Sequence, residues 1–241
     1  MSATLFLSYA CAKPVAILDI GSGYSTELLS EVCRSSYVIS IDIDFNKLKK
    51  LKNLARESIG VELVNCEASM IPLRSSSIDL AFAAITIHEL PRDSVDDALS
   101  EISRALKADG TLLMVDKVRG GAHSIAEALP YIVEYVYHKV QELLGLSRPA
   151  LLPQTPSRYL ELVSKHFEVI EHRVYELSPW VEPQKFLSSW GKTTKELCRK
   201  LSNTWRGRIE KLIKLIESHA KVHGYGPTKG LILIAKPRKQ S

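Results

Sequence analysis

Residues 17–25 read ILDIGSGYS, and the predicted fold is built around this segment. An apolar run ends at Asp19, two glycines follow at Gly21 and Gly23, and a helical pattern then begins. The order predicts a strand, a tight turn and a helix, which is where open α/β sheets bind nucleotide-like ligands. An ionised carboxylate at the end of a buried strand is costly unless it is hydrogen-bonded or paired. Asp19 therefore either caps the turn or serves a ligand.

Strand-like and helix-like segments alternate after this stretch. Strands are predicted at residues 37–43, 61–66, 78–87 and 111–118, and helices at residues 26–35, 45–59 and 93–107. This alternation predicts the α/β class, with a parallel sheet and helices on both faces. The second half reads as helices at 124–144, 157–166 and 194–223 and strands at 167–177 and 230–236.

Composition and cysteine usage narrow the class of protein. The chain has 241 residues, 45% of them apolar and 24% charged, which fits one large α/β domain. No apolar run reaches the roughly 18 residues that a membrane span needs, and residues 3–12 lack the basic start of a signal peptide, so we predict an N-terminal helix and a cytoplasmic protein. The four cysteines show no metal-ligand spacing, which predicts reduced thiols and no metal site.

Charge is unevenly distributed along the chain. Residues 178–241 carry 14 lysines and arginines against 4 acids, whereas residues 1–177 carry 18 against 23. A basic C-terminal quarter indicates either solvated helix faces or an anionic partner such as RNA.

Three acids stand at the ends of three consecutive predicted strands, namely Asp19, Asp42 and Glu67. The carboxyl ends of parallel strands share one edge of a sheet, so these side chains are expected to lie together. An acid about 20 residues past the glycines suits a ribose diol, because a carboxylate accepts two hydrogen bonds. Glu67 is placed to accept from an adenine amino group, and Ile43 to lie against the base.

Two cofactors fit a ribose-binding acid beside a glycine turn. NAD requires G-x-G-x-x-G, and Thr26 occupies the third glycine position here. S-adenosylmethionine carries an ammonium group and no phosphate. Asp19 suits that positive charge and would repel a pyrophosphate, so the residues favour S-adenosylmethionine.

Five segments in this order resemble the class I S-adenosylmethionine-dependent methyltransferases, type 11 branch, which includes enzymes that methylate ubiquinone and menaquinone precursors. They are LDIGSG (18–23), IDID (41–44), EASMIPL (67–73), SSSIDLAFAAITIHEL (75–90) and LKADG (106–110). The resemblance covers residues 15–118. It departs from the family at Ser25, where the first motif has a glycine, and at Glu67, where an aspartate is usual.

The resemblance implies a Rossmann-like fold and a set of cofactor residues. The expected sheet has seven mostly parallel strands in the order 3-2-1-4-5-7-6, with the last strand antiparallel and helical lid insertions. The chain is expected to be one methyltransferase domain over residues 1–241, with a cofactor-binding core (14–118), a helical lid (120–150) and a basic helical insertion (178–228). The cofactor residues expected on this basis are Asp19, Gly21, Gly23, Asp42, Ile43, Glu67 and Ala68.

Candidate residues for methyl transfer follow from position. His88, at the exit of the fourth strand, is the candidate general base, since histidine titrates near neutrality. Tyr131, Tyr135 and His138 share one face of the lid helix and are candidates to contact the acceptor. Each of these assignments competes with a purely structural role.

Three hypotheses remain for the acceptor. The first is a small molecule held under the lid, and the second is RNA or protein docked through the basic C-terminal helix. The third is a non-catalytic domain that has kept the fold. The segment ITIHEL (85–90) lacks the Asn/Asp-Pro-Pro-aromatic motif of the relatives that methylate exocyclic amino groups of nucleobases, which argues against one nucleic-acid subclass.

Overall fold

One mixed sheet forms the centre of the molecule. A computed structural model describes residues 3–57 and 60–238. In those residues the strands are β1 (Ala16–Ile20), β2 (Tyr37–Asp42), β3 (Val61–Asn65), β4 (Ile78–Ala84), β5 (Leu106–Lys117), β6 (Phe167–Ser178) and β7 (Thr228–Pro237). Their order is β3-β2-β1-β4-β5-β7-β6, with β7 antiparallel to both neighbours and the other pairings parallel. The predicted Rossmann-like sheet is confirmed.

β1 lies at the centre of the sheet because both of its faces are apolar. Leu18 pairs with Ile39 of β2 on one side and with Ala81 of β4 on the other. Leu18 belongs to the hydrophobic core on one face of the sheet and Ile17 to the core on the opposite face. A strand buried on both faces needs such a continuous apolar run, and this burial fixes the position of the turn that follows β1.

Helices cover both faces of the sheet. They are α1 (Ala3–Ala10), α2 (Tyr24–Val32), α3 (Phe45–Lys50), α4 (Lys52–Glu57), α5 (Val95–Ala105), α6 (Ile125–Leu143), α7 (Pro156–Ser164), α8 (Pro183–Ser189), α9 (Lys192–Cys198) and α10 (Asn203–His223). The predicted N-terminal helix is confirmed as α1. A single 3₁₀ turn, Ile87–Glu89, follows β4.

Several predicted boundaries were wrong. The strand predicted at 78–87 ends at Ala84, and three predicted helices also differ from the structure. The helix predicted at 45–59 divides at Leu51 into α3 and α4, and its last two residues lie outside the described part of the chain. The helix predicted at 93–107 ends at Ala105, because Leu106 already pairs with Ile78 as part of β5. The basic helix predicted at 194–223 is two helices, α9 and α10. The break between them lets Cys198 and Leu201 join the same apolar core as Ile209.

The predicted lid and the predicted basic insertion share one hydrophobic core. Leu129 and Val136 of α6 pack with Phe186 of α8 and with Ile213 and Ile216 of α10. This cluster is separate from the two cores that lie against the sheet. The helical layer formed by α6, α8, α9 and α10 therefore has its own packing.

The prediction of four reduced thiols was wrong for one pair. A disulfide joins Cys11, just after α1, to Cys33 at the end of α2. No spacing pattern in the chain indicates this bond, because the packing of α1 on α2 is what brings the two residues together. Disulfides are uncommon in reducing compartments, so a cytoplasmic location stays a prediction. In the described ranges, no helix has the length and apolar character needed to cross a membrane.

Candidate active site

A cavity of about 430 Å³ opens at the carboxyl ends of β1, β2 and β3. Among the residues that line it are five of the predicted cofactor residues, namely Gly21, Asp42, Ile43, Glu67 and Ala68. Asp19 and Gly23 are not on its wall, although Ser22 and Tyr24 beside them are. The strand ends thus gather most of the predicted set at one edge of the sheet, and the role of each residue stays a prediction.

The glycine turn is tightly packed at its first glycine. Gly21 has a φ of 84°, and a Cβ atom built on it would lie 2.2 Å from Thr86 Oγ1. Its N–H donates to the carbonyl of Ile41 over 2.9 Å, which fixes the turn against β2. Only glycine satisfies both the positive φ and this close approach.

Asp19 lies behind the turn and holds its shape. Its Oδ2 accepts hydrogen bonds of 2.7 Å from the hydroxyls of Thr26 and Ser40, and Thr26 Oγ1 in turn accepts from the N–H of Gly23. Asp19 Oδ1 has no hydrogen-bond partner among the described residues. Burial raises the pKa of Asp19 to about 6, although the hydroxyl hydrogen bonds act in the opposite direction. The carboxylate is therefore a buried charge that is only partly compensated.

Replacing Asp19 with asparagine tests this burial. Folded Asp19 (pKa about 6) holds its proton more tightly than an ordinary aspartate (3.8), so the folded state carries more protons between those pH values. The free energy of unfolding of the natural protein therefore falls as pH rises through this window, by about 3 kcal/mol from this group. In urea unfolding at pH values from about 4 to 7, we expect Asp19→Asn to lack that fall.

The matched control is Asp109→Asn, which replaces an exposed aspartate and should follow the natural protein. A constant difference in unfolding free energy between Asp19→Asn and the natural protein across this pH range would contradict the assignment.

Asp42 is oriented by its own neighbours at the end of β2. Its Oδ1 accepts from the N–H of Asp44 over 2.7 Å, and Lys47 Nζ lies 3.6 Å from its Oδ2. The Asn65 amide donates to the backbone carbonyls of Asp42 and Ile43. A carboxylate has about four lone-pair sites, so both oxygens keep capacity for a ligand. Ile43 is 65% exposed and gives the same wall an apolar face.

Arg148 completes the cavity from the far side, and sequence reasoning missed it. Its Nη2 donates to Glu67 Oε2 over 2.8 Å, and it lines the cavity together with Leu146 and Ser147, just after α6. Arg148 and Glu67 are 81 residues apart in the chain. No local pattern signals such a pair.

A second cavity, of about 280 Å³, adjoins the first. Its walls include Lys117 of β5, Tyr131 and Glu134 of α6, and Tyr225. Ile85 lines both cavities and has a φ of 55°, which is an outlier for a β-branched residue. Strained residues of this kind are concentrated at functional sites. The two cavities therefore share one strained wall residue.

The structure places the three residues predicted to contact the methyl acceptor in different surroundings. Tyr131 lines the second cavity. Tyr135 is 45% exposed and is absent from the walls of both cavities. His138 is mostly buried, and its Nε2 lies 3.6 Å from Glu134 Oε2. Burial alone would raise the pKa of Glu134, but the neighbouring His138 and the ion pair with Lys117 lower it to about 2. Glu134 is thus an ionised carboxylate on the cavity wall.

His88 is fully buried and lines neither cavity. Its Nδ1 lies 2.5 Å from Asp116 Oδ1, and its backbone N–H donates to Asp116 Oδ2. Burial lowers the pKa of His88, but the Asp116 carboxylate outweighs burial and raises it above the ordinary value. The other ring nitrogen, Nε2, lies 4.0 Å from Glu134 Oε2. A role as general base stays a prediction, and Glu134 is the neighbour of His88 that lines the second cavity.

Comparison with known proteins gives a family match and fold matches. Residues 18–114 match a family model described as a methyltransferase domain. A malonyl-[acyl-carrier protein] O-methyltransferase from Methylovorus sp. (strain MP688) is 34% identical over 108 residues, which is 42% of this chain and 36% of that protein. The chain therefore spans about a third of the length of this curated relative.

Two solved structures illustrate the shared fold. A putative methyltransferase from Bacillus halodurans C-125 has a TM-score of 0.62 at 17% identity and covers 98% of this chain and 99% of its own. The 1,6-didemethyltoxoflavin-N1-methyltransferase of Burkholderia thailandensis, solved with 1,6-didemethyltoxoflavin and S-adenosylhomocysteine, has a TM-score of 0.58 at 15% identity, covering 98% and 77%. At such identities the likeness concerns the fold alone.

Proposed function

We propose that this chain is a class I S-adenosylmethionine-dependent methyltransferase of the type 11 branch and that it transfers a methyl group to a small-molecule acceptor. The transfer is an in-line displacement beneath a helical lid. One observation carries the proposal: two cavities share the wall residue Ile85. The first is lined by most of the residues that the sequence assigns to the cofactor, and the second by Tyr131 of the assigned lid.

The residues of the first cavity fit S-adenosylmethionine. Its volume lies within the range of about 300–1,000 Å³ that is usual for ligand sites. Because Gly21 has no side chain, its backbone forms part of the cavity wall. The Asp42 carboxylate would hold the ribose hydroxyls. Ile43, Glu67 and Ala68 would receive the adenine. The unpartnered Oδ1 of Asp19 behind the turn would favour the cofactor's ammonium group through the intervening backbone.

The chain's own contribution to transfer is positioning. Bound S-adenosylmethionine would supply a methyl group on a sulfonium, which is already a strong electrophile, so orientation and exclusion of water account for most of the catalysis. The segment after α6 closes one side of the cofactor cavity through Arg148, and α6 itself closes the second cavity. Glu134 and His88 are available to hold a proton from the acceptor.

The size and lining of the second cavity support a small acceptor. It is about 280 Å³ in volume, and apolar side chains line it beside Lys117, Tyr131 and Glu134. The Burkholderia relative was solved with a small heterocycle and S-adenosylhomocysteine, which is consistent with this proposal. The Methylovorus relative is named for a malonyl group on a carrier protein, so a carrier-bound acceptor belongs in the test.

The test is calorimetry with S-adenosylmethionine, followed by transfer of tritiated methyl groups to separated small-molecule, RNA and protein fractions of a lysate. We expect cofactor binding and label in the small-molecule fraction. Label in RNA, with binding that weakens steeply as salt rises, would instead favour docking on α10, where Arg208, Lys211 and Lys214 are exposed. Failure to bind the cofactor would favour a non-catalytic domain.

A further inference from the structure

We propose that His88, Glu134 and His138 form a binding site for one divalent transition-metal ion, with zinc as the expected ion. The inference rests on the geometry of these side chains and does not require methyl transfer; an ion bound there would occupy the atoms of Glu134 and His88 that are otherwise available to hold a proton. The sequence predicted no metal site, because its four cysteines do not show the spacing that usually indicates one. The structure shows instead two histidines and a carboxylate brought together from separate elements.

The three candidate ligand atoms converge. His88 Nε2, His138 Nε2 and one Glu134 carboxylate oxygen all lie within 4.8 Å of one another. Glu134 Oε2 is 4.0 Å from the His88 nitrogen and 3.6 Å from the His138 nitrogen. Across the described ranges, neither buried nitrogen has a hydrogen-bond partner. Two unpartnered imidazole nitrogens and one carboxylate oxygen thus converge, and these are ligand atoms of the kinds that zinc binds.

Neighbouring groups orient the ligands as they do in known zinc sites. Asp116 accepts from the Nδ1–H of His88, which leaves the lone pair on Nε2 and fixes the ring. The Asp116 carboxylate is itself held by the backbone N–H groups of His88 and Lys117. A carboxylate behind a ligating histidine is the usual outer partner of zinc. Glu134 and His138 stand one turn apart on α6, so the helix sets their spacing.

The local charge leaves room for a divalent ion. Two carboxylates, Asp116 and Glu134, face a single lysine, Lys117, whose Nζ is paired with Glu134 Oε1. Glu134 Oε2 remains free for the ion. Lys117 weakens the attraction for a cation, so histidine-preferring metals are expected to bind far better than magnesium or calcium.

The donor set predicts both the metal and an open coordination position. Two histidines and one glutamate match catalytic zinc sites, in which three protein ligands leave a fourth position for water or a ligand. Glu134 lines the second cavity. An ion at this site would therefore bind an oxygen atom of a molecule in that cavity.

The experiment is calorimetric titration of the metal-stripped full chain with zinc. We expect one equivalent to bind, and expect His138→Gln and Glu134→Gln each to lower the affinity by at least about tenfold. The control is His219→Gln/His223→Gln, which removes the neighbouring histidine pair on α10 whose rings lie 6.0 Å apart. That double variant should keep the tight site.

Two further measurements start from the natural protein, and the second uses it alone. Zinc should raise the melting temperature of the natural protein but not that of His138→Gln. Cobalt in place of zinc should give the intense visible absorption of a four- or five-coordinate ion without a thiolate charge-transfer band. Absence of stoichiometric binding would overturn the proposal, as would loss of the tight site in the His219→Gln/His223→Gln control.

Discussion

Replacing Asp42 with alanine is expected to weaken binding of S-adenosylmethionine by about 1–3 kcal/mol, as loss of charge-assisted hydrogen bonds usually does. The carboxylate ends β2, lines the first cavity and is held in place by the Asp44 N–H. Both of its oxygens retain capacity for the ribose hydroxyls. Calorimetry of the natural protein and the variant measures the difference directly.

Two further variants make the Asp42 result specific. Asp42→Asn keeps the shape of the side chain and one acceptor oxygen, so its loss of affinity should be smaller than that of alanine. Asp109→Ala removes an exposed acid outside the cavity wall and should bind normally. Unchanged affinity in Asp42→Ala would mean that the ribose lies elsewhere. A matching fall in melting temperature would mean that the loss reflects local unfolding around Asp44.

Replacing Gly21 with alanine is expected to have the largest effect on the fold. The new methyl carbon would lie 2.2 Å from Thr86 Oγ1 and 2.7 Å from Thr86 Cγ2, at a φ of 84° that side chains rarely adopt. Overpacking costs about 1–3 kcal/mol and the positive φ about 1–2 kcal/mol. We expect a loss of about 2–4 kcal/mol in the free energy of unfolding, together with loss of cofactor binding, because the turn at the cavity wall must shift.

A second substitution separates the two causes. In Gly21→Ala/Thr86→Ala the overlapping side chain is gone, so the part of the loss that comes from overpacking should be recovered while the backbone strain remains. Gly207→Ala is the matched control, since Gly207 lies within α10 and a Cβ there meets nothing within 4 Å. It should stabilise the protein by about 0.5–1 kcal/mol. A Gly21→Ala variant as stable as the natural protein would contradict the packing at Thr86.

The sequence predicted the strands of the sheet well because each is marked by a short apolar run within the strand itself. The apolar runs before Asp19 and Asp42 end at the carboxyl edge of the sheet, and this shared edge brings the two acids together regardless of the loop conformations. For the same reason the wall of the first cavity was largely predictable from residues 19–68. The strand order came instead from the family resemblance.

The rest depends on contacts between distant parts of the chain, which a single sequence does not encode in a readable pattern. Arg148 meets Glu67 only because the segment after α6 folds back over the sheet edge. His88 and Glu134 are 46 positions apart and approach through the packing of α6 beside β5. The spacing of Glu134 and His138, four residues apart on one helix, was the available signal for that cluster. The cluster could be recognised only from the structure, which places His88 opposite these two residues.

The disulfide between Cys11 and Cys33 makes residues 11–33 a covalent ring. The ring encloses β1, the glycine turn and all of α2, and so contains the whole of ILDIGSGYS. A closed loop of this size has fewer unfolded conformations than an open chain, which favours the folded state by about 3 kcal/mol on chain-entropy grounds. In an oxidising environment, the segment on which the sheet is built therefore begins folding with part of its conformational freedom already removed.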